Sequence, residues 1–306
     1  MHHTCTEQFV MTLSRERRTG IYLVIASALM WSTAGLFVRM ADMDVWSMVA
    51  WRSAFSFVTL GAFLIVQRRV GKPRLSTYGM PGVAASVVSA FAAITYIASL
   101  QWATVATVMT VYATLPFIAT GIAFLWLRDR VTYRFVAAGG AAFVGVAISV
   151  GAAVSARDVL GILCAFAMTT GCATQIVIAR RFPEMDTTMM TAFAALACLC
   201  IALPLMHFEI LIPQQLLACA LYGVFTTGIG YILLLLGSRR VGSGEAGLLS
   251  MLDVVLGPVW VWLFYDEQIS LPVLVGGAVV LAAVLWYLAS DRTTAVAAGQ
   301  SLSGLD

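Results

Sequence analysis

Charge is scarce in this chain. Asp, Glu, Lys and Arg make up 11% of its 306 residues, while 61% are hydrophobic. A soluble domain carries about 25% charged residues. No water-facing fold covers that much apolar surface, so the expected class is an integral membrane protein. Histidine is almost missing as well: His2, His3 and His207 fall in tails or loops. Cys164, Cys172, Cys198, Cys200 and Cys219 sit inside apolar runs and Cys5 sits in the N-terminal tail. Buried cysteine in such a run behaves as a small hydrophobe, so neither a disulfide framework nor a metal site is expected. No GxxxxGK[ST] loop is present, which removes ATP as a direct energy source. Clusters of acids, histidines or serine–base pairs are also lacking at membrane depth, so no enzyme and no cofactor are expected. The net charge of +3 is spread in short clusters, and nucleic acid is not an expected partner.

What the chain has is apolar runs of spanning length, about 20 residues each. Ten are expected: Gly20–Met40, Trp46–Val66, Pro81–Leu100, Ala103–Trp126, Phe135–Val154, Val159–Ala179, Thr188–His207, Leu216–Leu236, Gly244–Phe264 and Leu271–Ser290. The third and fourth meet at "LQWATVA" with almost no polar break, and Gln101 is the expected corner. Basic residues orient such a bundle. With the N-terminus in the cytoplasm, inner segments carry Arg15, Arg17, Arg18, Arg68, Arg69, Lys72, Arg74, Arg128, Arg130, Arg134, Arg180, Arg181, Arg239, Arg240 and Arg292. Outer segments carry only Arg39 and Arg157, and Arg52 lies within the second run. A missed or extra helix would scramble that asymmetry, so it supports ten spans with both termini inside.

The chain also repeats itself. "GIYLVIASALMWSTAGLFVRMADMDV" (20–45) matches "GILCAFAMTTGCATQIVIARRFPEMD" (161–186) in its Gly-Ile start, single helix and basic residues before Met-Asp. "PFIATGIAFLWLRDRVTYRFVAAGG" (116–140) matches "VVLGPVWVWLFYDEQISLPVLVGGA" (254–278) as helix, acidic turn and glycine-led helix. Two halves follow, 1–156 and 157–306. Each holds five spans, an odd number, so the second half enters the membrane from the opposite side. The fold class is therefore all-α integral membrane, ten transmembrane helices as two inverted five-helix repeats. Transporters with inverted repeats bind substrate near the midplane between the halves.

These residues resemble the drug/metabolite transporter superfamily, specifically its ten-helix branch with two EamA-type repeats. The resemblance rests on "WSTAGLFVR" (31–39), "WR" (51–52), "YIASLQWATVATVMTVYATLPFIATGIAFLWLRD" (96–129) and "GYILLLLGSRRVGSGEAGLLSMLDVVLGPVWVWLFYDE" (230–267). In that family an acidic residue closes the fourth and ninth helices, and Asp129 and Glu267 match it. Proline stands about thirteen residues earlier. Pro116 matches, but the second half has Val254 there and Pro258 one turn later. The resemblance implies a secondary exporter of small metabolites in a bacterial-type inner membrane, with amino acids, and aromatic ones in particular, as the expected solutes. A multidrug or nucleotide-sugar transporter of the same superfamily is the alternative, and a non-transporting receptor or assembly subunit is the other class. The first run holds no carboxylate, which counts against a small-multidrug pump. Arg52 is the one cation inside a span, which counts against a nucleotide-sugar carrier.

Asp253 is the main candidate. A charged residue at mid-helix costs roughly 2.5–3.5 kcal/mol on insertion scales. Helical spacing puts Ser250, Asp253, Gly257 and Trp260 on one stripe. Asp253 is expected to hold a substrate amine or a proton in a central cavity, or else to pair with a neighbouring helix. Arg52 is expected to pair with Asp253, meet a substrate carboxylate, gate, or snorkel outward. Gln175 and the interior aromatics Trp31, Tyr96, Tyr112 and Tyr231 complete the expected lining. Pro258, Gly257 and Pro116 are the expected hinges, with the fourth and ninth helices rocking against each other. The expected partners are a small-molecule solute and the lipid bilayer, with proton coupling through Asp253.

Overall fold

The computed structural model describes residues 2–69, 78–128, 133–151, 155–207, 211–241 and 249–303, the side chains of 2–15, 68 and 288–303 apart. Among the described residues every regular element is a helix. Seven segments are long and apolar enough to cross a membrane: Glu16–Ala41, Val45–Gln67, Gly79–Trp102, Val105–Leu127, Tyr133–Val150, Ala156–Arg181 and Pro213–Ser238. Three shorter apolar helices, Thr187–Ala202, Leu252–Tyr265 and Leu271–Tyr287, complete the set. In chain order these are segments 1 to 10, and they fall on the ten apolar runs of the sequence. Asp129, the expected acidic end of the fourth helix, lies outside the described residues, as does Gly244.

Large apolar side chains face outward, with Val58 68%, Phe143 71% and Leu125 79% exposed. Such a surface suits hydrocarbon, where the backbone must satisfy itself within helices. Inside, helices meet through small residues, as expected where packing rather than water exclusion drives association. A Cβ on Gly171 of segment 6 would lie 2.8 Å from the Ala92 Cβ of segment 3, and one on Gly223 of segment 8 would lie 2.5 Å from the Arg52 carbonyl oxygen of segment 2. Segments 5 and 10 approach backbone to backbone at Gly145 and Gly276.

The packing obeys a two-fold relation between halves. Segment 6 packs on 3 as segment 1 packs on 8; segment 4 on 6 as 9 on 1; segment 3 on 7 as 8 on 2. Segments 2 and 7, 4 and 9, and 5 and 10 each pair with their own mate. An odd number of spans per half makes this relation an inversion.

Several segments are broken. Segment 1 turns at Thr33, where the Ser32 and Thr33 hydroxyls donate to the Leu29 and Met30 carbonyls. Segment 4 breaks at Ala113–Thr114, just before Pro116, which lacks the amide that would continue the ladder. Segment 9 starts afresh at Leu252 after a turn at Met251. Segment 8 winds as a π-helix over Tyr222–Ile229. The corner between segments 3 and 4 falls at Ala103–Thr104, two residues beyond Gln101. There the Thr104 hydroxyl caps segment 4 by accepting from the Thr107 amide. Gln101 instead donates to the Met43 carbonyl, 2.8 Å away, and ties the corner to the first loop.

Candidate functional site

The breaks surround a central cavity of about 250 Å³. Seven of the side chains expected from the sequence line it: Asp253, Arg52, Gln175, Trp31, Tyr96, Tyr112 and Tyr231. They come from segments 9, 2, 6, 1, 3, 4 and 8, so both halves contribute.

Asp253 lies in the first turn of the helix that restarts at Leu252 and is 7% exposed. A helix start carries positive partial charge and unpaired amides, which favour an anion. The break in segment 9 thus provides a setting for a carboxylate that an unbroken span would not. Its Oδ1 has no hydrogen-bond partner. Arg52 is 5% exposed, so it does not snorkel to a surface. Its guanidinium carbon sits 5.2 Å above the centre of the Tyr222 ring, a cation–π contact, and Nη1 reaches the Thr227 hydroxyl only at 3.5 Å. Nε has no partner. Among the described residues Arg52 and Asp253 do not form an ion pair with each other. Two opposite charges therefore face one cavity, each with an unused polar atom. Burial of that kind is costly unless something else satisfies them.

The remaining wall is mixed. Gln175 accepts from the Ser89 hydroxyl at 3.2 Å. Tyr231 donates to the Thr187 carbonyl at 2.9 Å, bridging segments 8 and 7. Trp31 packs on Gly230, where a Cβ would come within 2.9 Å of the indole.

Two expected members sit elsewhere. Trp260 does not line the cavity: its Nε1 donates to the Ser32 hydroxyl at 2.8 Å and its ring lies against Phe264. Ser250 is not among the lining residues either. The stripe from 250 to 260 assumed one unbroken helix, and the turn at Met251 separates Ser250 from the rest. Gly257 faces Met109 and the Ser32 carbonyl, so it serves the contact of segment 9 with segments 4 and 1. Pro258 lies inside a helix that runs on to Tyr265, while the break is seven residues earlier.

Reading the sequence missed Tyr222, Cys172, Met168, Ser89 and Thr191, all of which line the cavity. The signal for Tyr222 was present: it lies one helical turn before Thr226, on the same face of the helix.

An ionisable pair in a cavity between inverted halves, beside a broken helix, is a transporter's arrangement, and comparison with known proteins agrees. The model of the EamA-like transporter family matches residues 18–151 and again 159–289. The chain belongs to the EamA-like transporter family. In the drug/metabolite transporter superfamily to which EamA-like transporters belong, the two matches correspond to the two repeats. No curated protein matches the sequence significantly. A solved structure titled only "Crystal structure of protein" shares the fold with this EamA-like chain, with a TM-score of 0.63 and 17% identity over 87% of this chain and 96% of that one.

Proposed function

We propose that this EamA-like transporter exports amino acids, aromatic ones favoured, by alternating access at the central cavity. The observation that carries the reading is that two opposite charges line one cavity without pairing with each other. A zwitterion would answer both: its ammonium to Asp253 and its carboxylate to Arg52, each bond being charge-assisted. Trp31, Tyr96, Tyr112, Tyr222 and Tyr231 offer ring faces to an aromatic side chain. A cavity of about 250 Å³ falls just below the usual range of small-molecule pockets, about 300 Å³ to 1,000 Å³. That size favours an amino acid over a nucleotide sugar.

The arginine asymmetry supports an inner-membrane orientation with both termini cytoplasmic. The halves 1–156 and 157–306 are then the two bodies that exchange, with Pro116, Gly257 and Pro258 near the contact that moves. Asp253 is also the group through which proton movement would couple to export.

The test is uptake of labelled amino acids into proteoliposomes, with and without a proton gradient. Saturable flux of aromatic amino acids is expected, lost in Asp253→Asn. Normal transport by Asp253→Asn at every pH would remove the amine and proton roles together.

A further inference from the structure

One face of the bundle is held by a clasp. On the face where segments 1, 3 and 9 end and segments 2, 4 and 8 begin, polar side chains cross between halves. Arg39, near the end of segment 1, donates from Nε to Oε2 of Glu267 at 2.9 Å. Its Nη1 donates to the Leu100 carbonyl at 2.8 Å and its Nη2 to the Ala103 carbonyl at 3.2 Å. The other carboxylate oxygen of Glu267 accepts from the Val105 amide at 2.7 Å. One ion pair thus holds the end of segment 1, the corner between segments 3 and 4, and the end of segment 9. Asp266, in the left-handed region at φ 49°, ends segment 9 and turns the chain where Glu267 follows. The pair is partly shielded, the two side chains being 26% and 17% exposed.

Beneath this clasp lies an apolar layer. Val38, Met48, Val49, Leu100, Val105 and Val108 are each 3% exposed or less. The cavity begins below them: Arg52 and Tyr222 are seven and nine residues in from the helix starts at Val45 and Pro213, roughly 10–14 Å. Towards the other face its lining reaches Thr191, four residues from the start of segment 7 at Thr187 and so about one turn from that end.

We propose that the Arg39–Glu267 clasp is the gate that keeps the cavity shut on this face, which the arginine asymmetry makes the outer one, and that its opening admits the cavity to that side. The proposal rests on the cavity being the transport path and not on the identity of the solute. The Glu267–Val105 bond joins segments 9 and 4 directly and Arg39 bridges Glu267 to the corner of segments 3 and 4, so the fourth and ninth segments cannot part without breaking the clasp. A buried apolar layer alone would close with no geometric switch. A charged pair bound to three backbone groups gives two discrete arrangements, made or broken.

The experiment uses Cys172, which lines the cavity, as the sole cysteine, the other five being replaced by alanine. A membrane-impermeant maleimide is applied from each side of sealed vesicles. Arg157→Cys, exposed at the start of segment 6 on the clasp face, reports in parallel which side that face occupies. In the otherwise unaltered chain, Cys172 is expected to label at least fivefold faster from the opposite face. Glu267→Gln and Arg39→Gln are expected to raise labelling from the clasp face at least fivefold, and Glu267→Asp, which keeps the charge but shortens the arm, by less. Faster labelling of the unaltered chain from the clasp face overturns the proposal even if no variant folds. So does unchanged clasp-face labelling in variants that still react from the other side. Labelling needs no solute, so a shift without amino-acid flux would keep the gate and discard the substrate.

Discussion

Segments 4 and 9 are mates in the two halves, and they differ where it matters. Both are interrupted: at Ala113–Thr114 in one and at Met251 in the other, 138 positions apart or one residue fewer. Both end on a left-handed residue, Arg128 at φ 56° and Asp266 at φ 49°, again 138 apart. The backbone has kept the relation between the halves to the residue. The side chains have not. The position of Asp253 is occupied in segment 4 by Leu115, and Pro116 has its counterpart at Val254 rather than at Pro258. A symmetric scaffold thus holds an asymmetric charge. Motion needs two equivalent bodies, whereas recognition of an unsymmetrical solute needs a wall that is not the same on both sides.

That contrast can be broken most severely at Asp253. Asp253→Leu makes segment 9 resemble its mate, and flux in proteoliposomes is expected to fall by at least a hundredfold while the protein stays folded by size-exclusion chromatography. The reverse change, Leu115→Asp, makes segment 4 resemble segment 9. It adds a second carboxylate at mid-span, costing roughly 2.5–3.5 kcal/mol, and a lower yield of folded protein after membrane extraction is expected. Wild-type yield would mean that the break in segment 4 accommodates an acid as well as that in segment 9.

Arg52→Lys tests the other charge. Lysine keeps the charge but loses the planar stacking on Tyr222 and the forked donors, so KM is expected to rise about tenfold with a smaller change in kcat. Equal effects on both would indicate a part in movement rather than recognition. Gly223→Ala tests the close approach of segments 8 and 2. Its Cβ would meet the Arg52 carbonyl at 2.5 Å, and overpacking of this kind costs typically 1–3 kcal/mol. A lower midpoint of thermal unfolding is expected; an unchanged midpoint would show that the two segments give way freely.

The smallest effect belongs to Asp44, ahead of segment 2. Its Oδ2 accepts from the Trp46 and Ser47 amides, both at 3.0 Å. Partial burial pushes this carboxyl up, but the Ser47 and Trp46 hydrogen bonds and nearby His207 outweigh it and hold the group below its ordinary value of 3.8. Because the folded value is lowered, the cap stabilises the protein above about pH 4 and weakens as acid protonates it. Asp44→Ala is expected to cost ~1 kcal/mol, read as a thermal shift at pH 7 that shrinks toward pH 3.

Much of this was legible in the sequence because membrane helices answer to two strong rules, length and apolarity. The ten runs, the repeat and the two ionisable groups within spans could all be read that way. The break at Met251 could not: "LLSMLDVV" has neither glycine nor proline, and tertiary packing sets the turn. That one missed turn displaced Ser250 from the expected stripe. Trp260 failed for a different reason. An indole on a helix face can serve a cavity or a neighbour, and only the position of Ser32 decides. Tyr222 was overlooked although its spacing to Thr226 was visible.

The π-helical stretch of segment 8 has one further consequence. Each wide turn holds about one residue more than an α-turn, so Tyr222–Ile229 takes up an extra residue without turning the helix that follows. Deleting a single residue there would let the stretch rewind as α-helix with the later residues on their present face, whereas the same deletion at Gly230, where α-winding resumes, would swing everything after it by about 100°. In the second case Tyr231 would leave the Thr187 carbonyl and turn away from the chamber, although not one of the chamber's own side chains had been changed.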